Sequence, residues 1–341
     1  MIDNNETSIF KNNLTKDLKQ RTAPSLLQIK PVNDWIDEAK KRPIPKMLFG
    51  EFWFEGELCI LFADTNLGKS ILAVQIAQSI TSGYSTCGLR LEAKQQPVIY
   101  IDFELSDKQF ECRYSDGYTN HFTFNNNFYR AEIETGVKIP KQYDTFEDYL
   151  CESIETTILQ RSAKVLIIDN ISYLKNGTEK ASEATSLMIF LNELKKKYGI
   201  SILVLAHTPK RDYSKPLSKN DLSGSKSLMN FCDSSFAIGS SFNLTGVRYL
   251  KQIKQRIVEE IYGIENVITC SIEKDINFLQ FRFDDFDNEH NHLKENTVQD
   301  TNGRNDKIAT LKSEGNSNVA IAKLLNISEG TVRNILKKIN Q

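Results

Sequence analysis

The sequence predicts an α/β fold in which a mostly parallel β-sheet is followed by a small all-α domain at the C-terminus. Four apolar segments have the length and continuous hydrophobicity of strands that are buried on both faces; they are residues 58–63, 98–103, 165–169 and 200–206. Patterns with helical periodicity lie between them, at residues 69–81, 145–160 and 182–197. Strands that alternate with helices indicate a parallel sheet with helices on both sides.

The segments after residue 232 predict a different sheet geometry. Four strand-like stretches follow one another without long helices between them: FAIG, VRYLKQI, VITCSI and FLQFRF. Strands joined by short connections pair in an antiparallel manner. We therefore expect an antiparallel extension at one edge of the sheet.

Composition divides the 341 residues into four regions. Residues 1–44 are mostly polar and are expected to be partly flexible, whereas residues 45–283 carry the α/β pattern. Residues 284–304 are acidic and lack periodicity, which predicts a linker. Helical periodicity resumes at residue 305 and continues to residue 341.

Net charge, the length of the apolar stretches and the cysteine pattern narrow the class of protein. The net charge is −1, so any face that binds nucleic acid has to be local. The apolar stretches are shorter than the ~18 residues that span a bilayer, and the N-terminus has no secretory signal; we expect no membrane partner and a cytoplasmic location. The six cysteines are scattered without a C-x-x-C pair, and several lie in apolar runs, such as Cys59 in ELCILFA; for these a buried thiol is expected rather than a disulfide or a zinc ligand.

The segment LFADTNLGKS follows the first strong strand and opens a helical pattern. It matches the phosphate-binding loop G-x-x-x-x-G-K-[ST] except at Ala63, where the first glycine gains one methyl group. In such a loop backbone N–H groups cradle the phosphates, Lys69 reaches the β- and γ-phosphates of ATP, and Ser70 binds Mg²⁺. A strand-to-helix turn that contains Gly-Lys-Ser by chance is the alternative. The predicted nucleotide-binding residues are Ala63, Asp64, Thr65, Asn66, Leu67, Gly68, Lys69, Ser70 and Ile71.

Two predicted strands end in carboxylates. Asp169 ends KVLIIDN, at the end of a parallel strand where ligands bind, and it is expected to hold Mg²⁺ through water. Glu104 ends VIYIDFELS and is expected to orient and polarise the water that attacks ATP. Asp102 competes for this role, because strand alternation places it on the same face as Glu104. A solvated charge at a strand end is the alternative for Glu104.

These motifs together resemble the RecA-like hexameric ATPases, especially the plasmid RepA-type helicases and the core of the bacterial replicative helicase. The catalytic glutamate of this family lies where Glu104 lies, and here Asn170, not a glutamate, follows Asp169. The resemblance spans residues 45–283. It implies a RecA-like P-loop core that binds ATP and Mg²⁺ and works as a homo-oligomer, in the family a hexameric ring.

The resemblance also implies roles for residues further along the chain. His207 in ILVLAHTPK would sense the γ-phosphate, although a polar residue that caps a strand fits the same position. Lys254 and Arg256 in YLKQIKQRIVEE would reach the γ-phosphate held by the neighbouring subunit; a basic exposed strand is the alternative. The loop after His207 would track single-stranded DNA in a central channel, and a solvated loop fits equally well. Its expected DNA contacts are Lys210, Arg211, Lys215 and Lys219.

The chain departs from the family in two places. Only the mostly polar residues 1–44 precede the core, where the replicative helicase has a primase-binding domain. The RepA-type helicases usually lack a C-terminal domain like the one described next.

Residues 305–341 predict a helix-turn-helix domain that binds duplex DNA. Ala322, Asn326 and Val332 have the spacing of a small residue at the helix crossing, a turn residue and an apolar anchor. Six basic and three acidic residues give the region a charge of +3. It resembles resolvase-type and sigma-factor-like DNA-binding modules, and a three-helix domain that docks to a protein is the alternative. The expected DNA contacts of its last helix are Thr331, Arg333 and Asn334.

The sequence therefore predicts an ATPase that uses Mg-ATP and acts on DNA. A replication helicase or DNA-remodelling motor of a plasmid or mobile element is the first expectation. An ATP-controlled DNA-binding regulator without unwinding activity is the alternative from another class. Both need the same phosphate loop and the same arginine.

Overall fold

The computed structural model describes residues 27–134, 136–171, 181–222, 225–295, 298–325, 327 and 329–339. The chain forms two compact units, residues 1–44 and 45–341. In the first unit helix α1 (Val32–Lys40) follows Pro31, and the Lys30 ammonium lies 5.0 Å from the centre of the Trp35 ring. The described part of the region that we expected to be partly flexible thus contains a helix.

The second unit holds the β-sheet and the other helices. Its strands are β1 (Met47–Phe49), β2 (Trp53–Phe54), β3 (Leu58–Ala63), β4 (Val98–Asp102), β5 (Ser115–Asp116), β6 (Asn120–His121), β7 (Phe128–Ala131), β8 (Val165–Asp169), β9 (Ser201–His207), β10 (Ser234–Ser240), β11 (Arg248–Lys254), β12 (Val267–Asp275) and β13 (Phe278–Asp287). Its α-helices are α2 (Lys69–Ser82), α3 (Asp107–Arg113), α4 (Phe146–Arg161), α5 (Ala181–Tyr198), α6 (Ser225–Phe231), α7 (Val298–Ser313), α8 (Asn318–Leu324) and α9 (Glu329–Ile339). Short 3-10 helices cover Lys219–Asp221 and Glu289–His292.

One large sheet has the strand order β13-β12-β11-β10-β3-β9-β8-β4-β7. Neighbouring strands are parallel from β10 to β7 and antiparallel from β10 to β13. The predicted α/β class, with a mostly parallel sheet and an antiparallel edge, is confirmed.

Two strands of the large sheet differ from the expectation. The FAIG segment, within β10, pairs parallel with β3, because the chain returns through α6 before it enters the sheet and so runs in the same direction as β3. The antiparallel extension therefore begins one strand later, with β11. Strand β7 was missed because its four residues are only half-buried and give no continuous apolar run.

The core lies on both faces of the sheet, and all six side chains of β3 are buried. Leu61 joins the cluster that contains Leu72 and Ile76 of α2. Its neighbour Phe62 joins the cluster on the opposite face, which contains Met188 of α5. This burial on both faces explains why β3 is apolar throughout rather than alternating. No helix in the described part of the chain is long and apolar enough to cross a bilayer.

The segment predicted as a linker, residues 284–304, is folded at both ends. Strand β13 continues to Asp287, and α7 already begins at Val298. Between them, the fully buried Glu289 carboxylate pairs with the Lys251 ammonium and accepts a hydrogen bond of 2.7 Å from the Leu217 amide. Acidic composition predicted a linker because it does not show that one acid has a buried cation as its partner.

The predicted all-α C-terminal region is confirmed as three helices, α7 to α9. Ile308, Ile321, Ala322 and Val332 are buried against one another. The Ser317 hydroxyl caps α8 by accepting a hydrogen bond from the Ala320 amide. Asn326, the predicted turn residue, lies outside the described residues.

Candidate nucleotide-binding site

The predicted phosphate loop joins the end of β3 to the start of α2. Gly68 has φ +96°, in the left-handed region, and a Cβ atom there would lie 2.6 Å from Ile272 Cδ1 and 2.9 Å from Phe281. Only glycine fits this backbone without strain. The first N–H groups of the 14-residue helix α2 face the loop and form an anion-binding end. Thr65 and Asn66 are exposed at the top of the loop, whereas Leu67 and Ile71 pack against the core.

The Lys69 ammonium is buried beneath the loop. Its Nζ donates to the carbonyl oxygens of Ala63, at 3.0 Å, and Asp64, at 3.1 Å. Burial lowers the pKa of Lys69, and the nearby charges of Asp169, Glu104 and Asp64 oppose this shift. The lysine is thus positioned at the loop by weak, neutral acceptors that phosphate oxygens would replace.

Asp169 ends β8 and is fully buried. The Tyr100 hydroxyl donates a hydrogen bond of 2.6 Å to its Oδ2. Burial raises the pKa of Asp169 to about 6, while hydrogen bonds from Ser70 and Tyr100 act against the shift. Its Oδ1 is buried and has no hydrogen-bond partner of good geometry among the described residues. A buried carboxylate oxygen beside a serine hydroxyl suits Mg²⁺, which prefers oxygen ligands, so the residues fit the predicted metal.

The two competing carboxylates after β4 have different surroundings. Asp102 is buried. Its Oδ1 accepts hydrogen bonds from the backbone amides of Glu104, at 3.0 Å, and Leu105, at 2.9 Å. Its Oδ2 accepts a hydrogen bond of 3.0 Å from Arg130 Nε. Asp102 therefore shapes the turn and has little free capacity for water. The Glu104 side chain is partly exposed at the site, and a hydrogen bond from His207 lowers its pKa.

His207 lies between Lys69 and Glu104. Its Nδ1 is 3.1 Å from Lys69 Nζ, and its Nε2 is 3.3 Å from Glu104 Oε1. Because an ammonium only donates, Nδ1 accepts and Nε2 carries the proton that faces Glu104. Asn170 follows Asp169 through a cis peptide bond; its amide Nδ2 donates to the same Glu104 oxygen and lies 3.0 Å from His207 Nε2.

All of these side chains lie at the carboxyl end of the parallel strands, where open α/β sheets bind ligands. A family model described as an AAA domain matches residues 23–212, which is more than half of the chain. The chain belongs to this AAA domain family. The matched region includes the phosphate loop, Glu104, Asp169 and His207. This family match supports a P-loop ATPase domain.

Comparisons with individual proteins add little to the family match. No curated protein matches the chain. Among solved structures, a KaiC-like protein from the hyperthermophilic archaeon Pyrococcus horikoshii OT3 is similar over 67% of this chain and 90% of its own, with 14% identity and a TM-score of 0.46.

Lys254 and Arg256 lie near the amino ends of the parallel strands, whereas the phosphate loop of the AAA domain lies at their carboxyl ends. Lys254 pairs with Ser235 at the start of β10 and donates to the carbonyl oxygens of Met229 and Cys232, each at 2.6 Å. Arg256 forms an ion pair of 3.0 Å with Asp233. Asp233 also accepts the amide of Leu58, the first residue of β3. The length of β3, roughly 16 Å, thus separates Arg256 from the phosphate loop of its own chain.

The four cations of the loop after β9 have different surroundings. Lys210 and Lys219 are exposed. Lys215 is exposed too and lies 3.3 Å from Asp212. The Arg211 guanidinium donates to the Lys215 carbonyl and lies 5.0 Å from the centre of the Tyr213 ring, so it also organises the loop.

The candidate DNA contacts of the C-terminal domain lie on α9. Arg333 and Asn334 are exposed, whereas Thr331 is half-buried beside the buried Val332. Lys337 is one turn after Arg333 and is also exposed. The solvent-facing side of α9 is therefore basic and polar.

Sequence reasoning missed several residues of the site. Tyr100 and Arg130 support Asp169 and Asp102 from neighbouring strands, and Asn170 contacts Glu104 and His207. Alternation along β4 places Tyr100 and Asp102 on one face, and this was the available signal for Tyr100. The contact of Arg130 depends on the pairing of β7 with β4, which the sequence did not indicate.

Proposed function

We propose that this AAA domain protein hydrolyses Mg-ATP and acts on DNA as a cytoplasmic replication helicase or DNA-remodelling motor of a plasmid or mobile element. The observation that carries the proposal is the assembly of Lys69, Ser70, Asp169, Glu104 and His207 at one edge of the sheet. These groups lie at the ends of three strands, β4, β8 and β9, and at the start of helix α2, and each has a chemical use in phosphoryl transfer.

Bound Mg-ATP supplies the phosphoanhydride bond and the divalent charge that neutralises its oxygens. The Lys69 ammonium would bind phosphate oxygens, and Asp169 with Ser70 would hold the cation. Glu104 stays ionised because His207 hydrogen-bonds to its charged form, and it accepts a hydrogen bond from the attacking water. Asp102 and Arg130 hold the turn on which Glu104 lies.

A homo-oligomer, which we propose to be a hexameric ring, completes the site. Arg256 is far from the phosphate loop of its own chain, and it lines an open cavity of about 410 Å³ together with Lys195, Lys196, Glu193 and Asp233. A neighbouring copy that presents its nucleotide to this cavity would receive the guanidinium, which neutralises charge in the transition state. This geometry supports an arginine that acts between subunits.

DNA is the proposed partner for two reasons. The loop of residues 208–220 carries four basic residues and one acidic residue, and it begins directly after His207. The helix α9 presents Arg333, Asn334 and Lys337 to solvent, as a helix that enters a major groove would. We propose that single strands contact the loop and that duplex DNA contacts α9.

The second candidate function is an ATP-controlled DNA-binding regulator. The separate three-helix core around Ile308 and Val332 favours it, because a duplex-binding domain is all that such a regulator needs beyond an ATP-dependent oligomer. Its loop after β9 would have no need to bind single strands.

Strand displacement distinguishes the two functions. The full-length protein is incubated with a forked DNA duplex and ATP, with a non-hydrolysable ATP analogue, or with ATP and the Lys69→Ala variant. A helicase displaces the strand only with ATP and only with Lys69. If the protein binds the duplex but displaces no strand under any of the three conditions, the result supports the DNA-binding regulator.

A further inference from the structure

An aromatic pair, formed by the exposed Phe242 and the half-buried Tyr213, lies at the basic loop. Phe242, in the turn between β10 and β11, is 47% exposed. Its ring centre lies 5.1 Å from that of Tyr213, at an interplanar angle of 51°. Tyr213 comes from the loop after β9, and Leu244, two residues after Phe242, is also exposed. A large ring left open to water on a short turn invites a ligand with an apolar face.

Cations outnumber acids around the pair: Lys210, Arg211, Lys215 and Lys294 stand against Asp64, Asp212 and Glu295, and Asp212 is already paired with Lys215. The Arg211 guanidinium covers one side of the Tyr213 ring at 5.0 Å. Lys210 is exposed next to Arg211 in the loop, and Lys294, whose amide donates to the Tyr213 carbonyl, is exposed too. A ligand that suits this surface is therefore anionic and carries flat rings.

The aromatic pair is held rigidly from behind. The Phe242 amide donates to the His292 carbonyl at 3.0 Å, and the Ser241 hydroxyl lies 3.0 Å from His292 Nδ1. Glu289, in the same short 3-10 helix as His292, accepts the amide of Leu217 at the far end of the loop. One buried turn thus fixes both segments, so little conformational entropy is lost when the surface binds a ligand.

The pair is also joined to the phosphate loop. Burial and a hydrogen bond to the Asp64 carboxylate raise the pKa of Tyr213. The Thr208 hydroxyl donates to the same carboxylate. Asp64 belongs to the predicted nucleotide-binding loop, so Tyr213 and Thr208 both contact that loop.

We propose that Phe242 and Tyr213 form a stacking platform for bases of single-stranded DNA, whose phosphates are bound by Lys210, Arg211 and Lys294. Bases in a duplex are stacked on each other, so only a single strand can offer a base face to the ring. Base–aromatic stacking tolerates every sequence, which suits a motor that moves along DNA. The inference rests on the proposed function, because it names where the DNA of that ATPase is held.

The test measures how tightly a fluorescent oligothymidylate of about 30 nucleotides binds to the full-length protein, by fluorescence anisotropy. Phe242→Ala is expected to weaken binding by about 5- to 100-fold, the loss typical for one stacked base. Phe242→Trp retains a ring and is expected to bind like the wild type. Phe286→Ala is the matched control, because Phe286 is 48% exposed on β13 and has no part in the platform.

The dependence on salt separates stacking from charge. Lys210→Ala is expected to reduce the slope of log K against log[salt], because it removes a phosphate contact. Phe242→Ala is expected to weaken binding at every salt concentration and to leave the slope unchanged. A reduced slope for Phe242→Ala would indicate a displaced loop and overturn the platform.

Three results overturn the proposal: wild-type affinity of Phe242→Ala, an equal loss for Phe286→Ala, or no binding by the wild type. ATP hydrolysis and duplex binding by the wild type are measured in parallel. If both are present while Phe242→Ala binds single strands normally, the platform is wrong and the proposed ATPase stands. If the wild type hydrolyses no ATP, the proposed function itself fails.

Discussion

His207 Nδ1 lies 3.1 Å from Lys69 Nζ, while Nε2 on the other side of the ring lies 3.3 Å from Glu104 Oε1. One imidazole thus joins the lysine that binds phosphate to the carboxylate proposed to orient water. Thr208, the next residue, begins the loop proposed to bind DNA. A phosphate in the loop would compete with His207 for the Lys69 ammonium, and this competition offers a direct path from nucleotide to DNA.

Replacement of His207 tests this path. His207→Ala removes hydrogen bonds to two charged groups, so we expect kcat for ATP hydrolysis to fall by about 10- to 100-fold. His207→Gln keeps an acceptor for Lys69 and a donor for Glu104, and it is expected to retain most of the activity. Steady-state kinetics of both variants measure the difference; equal losses would show that hydrogen bonding by this side chain is not what matters.

Glu104→Gln separates catalysis from binding. The amide cannot act as a base toward water, so we expect kcat to fall at least about 100-fold. ATP affinity, measured with a fluorescent analogue, is expected to change by less than about threefold, because Lys69 and the loop amides remain. Normal turnover by this variant would exclude Glu104 as the catalytic carboxylate.

Asp102→Asn is the matched variant of the competing carboxylate. It weakens the buried pair with Arg130, so we expect the free energy of unfolding to fall by about 1–3 kcal/mol. Denaturant unfolding at pH 7.5 measures this loss. Retained kcat together with lower stability supports a structural role; lost kcat at full stability would transfer the catalytic role to Asp102.

Arg256 is expected to act on the nucleotide of a neighbouring copy. Arg256→Ala should lower kcat by about 10³-fold or more, as for other arginines that neutralise the transition state. Because Lys69 and Arg256 would meet only at a subunit interface, a mixture of Arg256→Ala and Lys69→Ala proteins should regain activity. Arg282→Ala, which changes an exposed arginine on β13, is the control. If the mixture of Arg256→Ala and Lys69→Ala is no more active than either variant alone, the two residues do not share a site between subunits.

The raised pKa of Glu57 predicts that the stability of the protein depends on pH. Burial raises the pKa of Glu57, although hydrogen bonds from Ser234 and from the Phe54 amide oppose the shift. A raised folded pKa means that the folded state binds the proton more tightly, so this group destabilises the protein as pH rises through that pKa. Glu57→Gln should therefore have a higher Tm than the wild type at pH 8, and the difference should close toward pH 4. Thermal unfolding measures it, with Glu259→Gln as the exposed control; a difference that is constant with pH would contradict the burial argument.

Sequence patterns predicted the parts of the molecule that depend on local periodicity. The strands that carry Ala63 and Asp169 end where their apolar runs end, and the helix after Gly68 begins where the loop pattern predicts. These elements are specified by residues close together in the chain. Continuous hydrophobicity also predicted burial of β3 on both faces.

Long-range pairing explains what was missed. Glu289 lies in an acidic segment, and only the folded chain shows that Lys251 and the Leu217 amide surround its carboxylate. Phe242 in its turn gave no signal either, because its significance depends on Tyr213, 29 residues earlier. Contacts between segments far apart in sequence leave no periodic pattern.

ATP hydrolysis by the full-length protein, with and without single-stranded DNA, tests the central claim most directly. We predict turnover by the wild type, stimulation by single strands, and a loss of at least about 100-fold in Lys69→Ala. Equal rates for the wild type and Lys69→Ala, or no hydrolysis with any DNA, would contradict a working ATPase site at this phosphate loop.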